Sequence, residues 1–102
     1  MVINKGDYSL VVRPSEPYSE LGKLLDGLAR ERNVRGPYAV AKWVTATTGY
    51  RVAGQTVSRI FYGYHQPGQG FIGAFAEAFD LTPDERARLA WLYTYGRAFS
   101  SP

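Results

Sequence analysis

A chain of 102 residues is the length of one domain, enough for a single hydrophobic core, and its lack of cysteine excludes disulfides and thiolate-bound metals. No apolar run approaches the ~18 residues of a membrane span, and the amino end MVINKGDYSLVV, with Asp7 in its middle, has no signal-peptide pattern. With a composition that fits a reducing compartment, the expectation is a cytoplasmic protein without membrane association. The net charge is only +3 but unevenly spread: no acid lies between Glu31 and Glu77, where Arg32, Arg35, Lys42, Arg51 and Arg59 all fall. That distribution points to a polyanionic partner for the middle of the chain, the plainer reading being a neutral core region solvated by arginines.

Residues 1–17 do not carry a helical pattern. Val2, Ile3, Leu10, Val11 and Val12 flank the turn signal Asn4-Lys5-Gly6-Asp7, and Pro14 and Pro17 end any regular element, which predicts a short extended N-terminal arm or hairpin. Ser19 is a natural N-cap for a first helix running to about Arg32, because Leu21, Leu24, Leu25 and Leu28 recur at helical spacing. After a turn at Asn33 to Gly36, Pro37 opens a second helix with Val40, Ala41 and Val44 inward, ending near Thr48 with Gly49 as C-cap.

The stretch Val52 to Gly63, VAGQTVSRIFYG, predicts a third helix over residues 53–62. Val57, Ile60 and Phe61 form one apolar stripe, leaving Gln55, Thr56, Ser58, Arg59 and Tyr62 outward. That outward face has no acid and holds groups suited to base edges: Gln bonds adenine in two places, Arg does so with guanine, and Ser or Thr suits either. An ordinary half-buried surface helix is the competing reading.

Tyr64 to Gly68 reads as a loop, and Ile72, Phe75, Ala76 and Phe79 place a fourth helix at roughly Gly70 to Asp80. Thr82-Pro83-Asp84-Glu85 combines an N-cap, a first-turn proline and a glutamate at the third position, a reciprocal capping box that starts a fifth helix. That helix is expected to reach about Gly96, with a flexible tail over 97–102. Five amphipathic helices with short connections make an all-α bundle.

Two short helices joined by a glycine-containing turn, the second with a polar outward face, form a helix-turn-helix. Val40-Ala41 with Val44, then Thr56-Val57-Ser58-Arg59-Ile60 with Gly63 and Pro67, and finally Leu81-Thr82-Pro83-Asp84-Glu85-Arg86-Ala87-Arg88-Leu89, resemble the motif helices and the helix-four-to-five junction of the Cro and phage-repressor type (XRE) regulators. The likeness covers about residues 19–95. It implies a lambda-repressor-like bundle spanning 18–96 that lays its third helix in the major groove of double-stranded DNA as a transcriptional regulator or repressor. Carried over by position, the base-reading residues are Gly54, Gln55, Thr56, Ser58 and Arg59, with Gln55 and Arg59 foremost. Phosphate contacts are expected from Tyr38, Lys42, Arg51, Tyr62, Tyr64, His65 and Gln69.

The chain departs from the family pattern in three places. The turn from Thr45 to Arg51 is several residues longer, so the second helix should gain a turn. Pro37-Tyr38 stands where many members have a phosphate-binding Gln, and Ala53 replaces the usual hydroxyl cap, which weakens the third helix by about 1 kcal/mol relative to Ser.

Gly68-Gln69-Gly70-Phe71-Ile72-Gly73 matches the dinucleotide-binding string GxGxxG, but no strand precedes it and helix follows helix, so it carries no such site. The same glycines leave the amides of the fourth helix's N-terminus open to a phosphate. His65 is the only histidine, so no metal centre is expected. No nucleophile has a base at a recognisable spacing, so neither an enzyme nor a cofactor is expected.

On the fifth helix, Leu89, Leu92 and Tyr93 make a core stripe, while Ala87, Trp91 and Tyr95 lie nearly opposite. That second stripe is either covered by the N-terminal segment or shared with a second copy, making Trp91 and Tyr95 candidates for a homodimer interface. A different function on the same fold is a protein-interaction module, such as an antitoxin that covers its partner protein, with DNA binding secondary.

Overall fold

A computed structural model describes residues 18–100, with side chains described to residue 95. The expected arm or hairpin at residues 1–17 and the end of the tail at 101–102 lie outside the described residues. The chain is an all-α bundle of five helices: α1 (Glu20–Arg30), α2 (Pro37–Thr48), α3 (Gly54–Tyr62), α4 (Gln69–Ala78) and α5 (Pro83–Ser100). α1 packs on α3 and α5, and α2 packs on α3 and α4. Their shared core is Leu25, Leu28, Val40, Val44, Val57, Ile60, Phe61, Phe71, Phe75, Phe79 and Leu89; on α4 it is Phe71 that is buried, while Ile72, which the spacing named, packs half-buried at the edge.

Several helix boundaries have a local chemical cause. Ser19 caps α1 by accepting from the Gly22 amide at 3.0 Å. Its own amide and hydroxyl both donate to the Phe61 carbonyl, at 2.9 and 3.2 Å, so the start of α1 satisfies an open carbonyl at the end of α3. The capping box of α5 forms as its residues require: the Thr82 amide donates to Glu85 Oε1 at 2.8 Å, and the Glu85 amide donates to Thr82 Oγ1 at 3.2 Å.

α1 and α4 end earlier than their apolar spacing implies, at Arg30 and Ala78 instead of about Arg32 and Asp80. Both helices turn off through a left-handed polar residue, Asn33 at φ 67° and Asp80 at φ 50°. The amides of Val34 and Leu81 then reach back to the carbonyls of Ala29 and Ala76 at 3.0 and 3.1 Å, closing the helix ends while returning an apolar side chain to the core. The fifth helix corrects the sequence reading in the other direction. It continues past Gly96 to Ser100, so residues 97–100 are helical; a lone glycine costs a helix only about 1 kcal/mol, and no proline intervenes before Pro102.

Long-range ties fix the angles between helices. Arg32 donates through Nε to the Phe79 carbonyl, through one terminal nitrogen to the Leu28 carbonyl at 3.0 Å and through the other to Glu85 Oε1 at 2.7 Å, joining the ends of α1 and α4 to the start of α5. Trp43 Nε1 donates to the Ala78 carbonyl at 2.9 Å, which ties α2 to the end of α4.

Candidate nucleic-acid interface

The α3 helix shows the two-sidedness that its sequence implies. Val57 and Phe61 are fully buried and Ile60 is 2% exposed, while Gln55 and Arg59, one turn apart on the opposite face, are exposed. Thr56, Ser58 and Tyr62 are half-buried along the edges of that face. Gly54 contributes backbone alone. The ring of Tyr38, 64% exposed at the start of α2, lies directly against it, and any side chain at this position would run into that ring. Tyr38 and Gly54 therefore mark the place where the α2 and α3 N-terminal ends meet.

The acid-free stretch leaves several cations open. Arg35, Lys42, Arg51 and Arg59 are exposed, and among the described residues none is paired with an acid. Arg32 is the exception within the acid-free stretch, because its guanidinium is committed to Glu85 and to the two helix ends. The helix N-termini divide in the same way. α1 and α5 begin with a capping hydroxyl and acids in the first turn, whereas α2, α3 and α4 begin at Gly36, Ala53 and Gly68 with no side-chain cap and no first-turn acid. Among the described residues, no capping side chain or first-turn acid meets the amides and positive dipole ends of those three helices.

A tier of tyrosines borders the exit of α3. The rings of Tyr62 and Tyr64 stack at 6.2 Å, and Tyr18 meets Tyr62 and Phe61 edge-on at 4.9 and 5.2 Å. Burial pushes the Tyr18 hydroxyl above its ordinary range, and the charge of Asp26 adds to the shift. The following loop is anchored from α5 by the Tyr93 hydroxyl, which donates to the carbonyl of buried Pro67 at 2.9 Å. Tyr64 and His65 are exposed on that loop, and Gln69 is exposed as the first residue of α4.

The connection between α2 and α3, Gly49 to Ala53, holds residues that sequence reasoning passed over. α2 runs to Thr48, where its spacing predicts its end, and Gly49 terminates it at φ 81°. Thr45 and Thr48 then bind the connection: Thr45 Oγ1 donates to the Tyr50 carbonyl at 3.0 Å and accepts from the Val52 amide at 3.3 Å, and Thr48 Oγ1 accepts from the Tyr50 amide at 3.1 Å. The Tyr50 ring lies over Gly70 of α4 and meets Phe71 edge-on at 6.4 Å. The sequence signal was the threonine-rich run ahead of Gly49, since threonine hydroxyls bond readily to nearby backbone.

Trp91 and Tyr95, 54% and 51% exposed with rings 5.5 Å apart, stand away from these residues on α5. Trp91 borders a groove of about 530 Å³ between α1 and α5, floored by Leu24, Leu28 and Leu92 and rimmed by Glu20, Lys23 and Arg88. Among the described residues there is no cluster of three or more metal-binding side chains, and no helix is long and apolar enough to cross a membrane. In comparisons with known proteins, no family model, curated protein or solved structure matches the chain significantly. The helix-turn-helix likeness thus rests on the residues that carry it.

Proposed function

We propose that this chain is a sequence-specific double-stranded DNA-binding protein, a transcriptional regulator or phage-type repressor acting in the cytosol, that inserts α3 into the major groove. The observation that carries the reading is the α3 helix itself: Gln55 and Arg59 project from one exposed, acid-free face while the opposite face is locked in the core. A helix held this rigidly presents its side chains without first losing orientational freedom. Arg35, Lys42, Arg51 and Arg59, paired with no acid among the described residues, supply charge for the phosphates around it, and the uncapped starts of α2, α3 and α4 supply amides.

In this reading Gln55 and Arg59 bond base edges, Thr56 and Ser58 contact bases from the sides of the helix, and Gly54 lets the backbone sit close to Tyr38. Lys42 and Arg51 neutralise phosphates, with Tyr38, Tyr62, Tyr64, His65 and Gln69 as further contacts along the same backbone. Lack of cysteine suits a reducing compartment.

The test is selection of duplexes from a random pool followed by titration at about 50 and 200 mM salt. A handful of phosphate contacts should cost orders of magnitude in affinity across that range. Arg59→Ala should lose about 1–3 kcal/mol on the selected site and flatten preference at one base pair, whereas Lys42→Ala should weaken all sequences alike and reduce the salt slope by about one. Salt-independent affinity, or equal losses on selected and random DNA for Arg59→Ala, would refute this assignment.

A further inference from the structure

The long turn between α2 and α3 lengthens the path into the proposed recognition helix, and an unrestrained path would let α3 and the residues before it wander. The opposite is observed. Within Gly49 to Ala53, the Tyr50 amide, the Tyr50 carbonyl and the Val52 amide are each bonded to a threonine hydroxyl of the last turn of α2, and the Gly49 amide bonds the Thr45 carbonyl at 2.9 Å. Both hydroxyls are used twice, since Thr48 Oγ1 also donates to the Val44 carbonyl at 2.8 Å. The far side of the connection is pinned by the Tyr50 ring on Gly70 and Phe71. Between these two anchors stands Arg51, exposed and, among the described residues, paired with no acid.

We infer that Thr45 is a positioning residue for DNA binding: its hydroxyl clasps the connection so that Arg51 is presented to a phosphate in one fixed geometry. The inference rests on the DNA-binding reading above. Thr45 is half-buried and its one hydroxyl hydrogen is given to Tyr50, so it acts through Arg51 and not by touching DNA. Without the clasp, each encounter must first order the connection, and the contact made by the long Arg51 side chain is lost to that disorder.

A double-mutant cycle separates this role from a merely structural one. Thr45→Val, which keeps the shape and removes the hydroxyl, Thr45→Ser, Arg51→Ala and the Thr45→Val/Arg51→Ala pair are titrated with the selected duplex over a range of salt. Folding is checked by thermal melting. Arg51→Ala and Thr45→Val should each weaken binding severalfold and each reduce the salt slope by about 0.9, the signature of one lost phosphate contact. Thr45→Ser should bind as the parent does, and Arg51→Ala should cost nothing further in the Thr45→Val background.

If Arg51→Ala keeps its full severalfold cost in that background, or costs nothing in the parent, the clasp is refuted while DNA binding stands. A parent chain that binds no duplex refutes both. Should Thr45→Val fail to melt cooperatively, Thr48→Val loosens the connection at the Tyr50 amide, leaves Thr45 in place and takes its position in the same cycle.

Discussion

Two glycines on α1 differ in what surrounds them, and the difference fixes opposite expectations for the same substitution. Gly22 lies against the backbone of Phe61, where an added Cβ would overlap the carbonyl that Ser19 bonds; around Gly27 there is nothing within 4 Å. Gly22→Ala must push α1 off α3 and should destabilise by about 1–3 kcal/mol, whereas Gly27→Ala only removes backbone freedom from the unfolded chain and should stabilise by about 0.5–1 kcal/mol. Thermal melts of the two variants check both signs, and a Gly22→Ala protein as stable as the parent would mean that α1 and α3 do not cross this closely. Glu85 offers a pH test at the same scale. The Thr82 amide, and then the Arg32 guanidinium, hold its carboxyl below its ordinary value of 4.5. A carboxyl harder to protonate when folded contributes stability that is complete above that ordinary value and is lost as pH falls through the lower, folded one. The melting temperature of the parent should therefore drop more steeply between about pH 5 and pH 3 than that of Glu85→Gln, whose amide keeps the cap but does not titrate. Equal slopes would show that this carboxylate is not the group responsible.

Among the elements, α3 is the one whose local stability and proposed use pull apart. Its N-cap is Ala53, with extended backbone and no side chain to hold the first-turn amides. Ala53→Ser and Ala53→Asp should each add about 1 kcal/mol of stability by supplying the missing acceptor. Their effects on DNA should diverge: the neutral cap leaves affinity near that of the parent, while the carboxylate, set at the helix end that faces phosphate in the proposed complex, lowers it by about tenfold or more. If Ala53→Asp stabilises the fold and binds DNA unchanged, the N-terminus of α3 does not approach the backbone. The same element shows what was legible from sequence. Its buried stripe and its end at Gly63 follow from spacing and capping within the segment, as do the Thr82–Glu85 box and the Gly49 terminus of α2. The contacts that orient it were not legible. Tyr38 on Gly54, Trp43 on the Ala78 carbonyl and Arg32 on Phe79 and Glu85 join residues far apart in the chain, and nothing in their local sequence names the partner. Arg32 shows the consequence: composition counts it with the free cations of the acid-free stretch, while the fold spends it on holding three helix ends together.

At the scale of the whole molecule, the proposed reading face is too small to work alone. With 9 residues, α3 is about 14 Å long and spans only a few base pairs, too few to define one site among many. Proteins that use one short recognition helix per chain commonly present two of them on a two-fold axis, with half-sites about 34 Å apart. We therefore expect the DNA-bound form to be a homodimer, with α5 as the contact element. It is the longest helix, its principal partner within the chain is α1, and it carries exposed Trp91 and Tyr95 on the side away from Leu89. In that arrangement selected sites are inverted repeats, sedimentation gives two chains per site, and Trp91→Glu weakens both assembly and DNA binding while each chain keeps its cooperative melt. Removing residues 1–12 should leave the dimer intact, since the interface is built on α5. A single chain on a site without symmetry, with Trp91→Glu binding as the parent does, would instead make the protein a monomeric reader and would leave Trp91 and Tyr95 without a part in DNA binding.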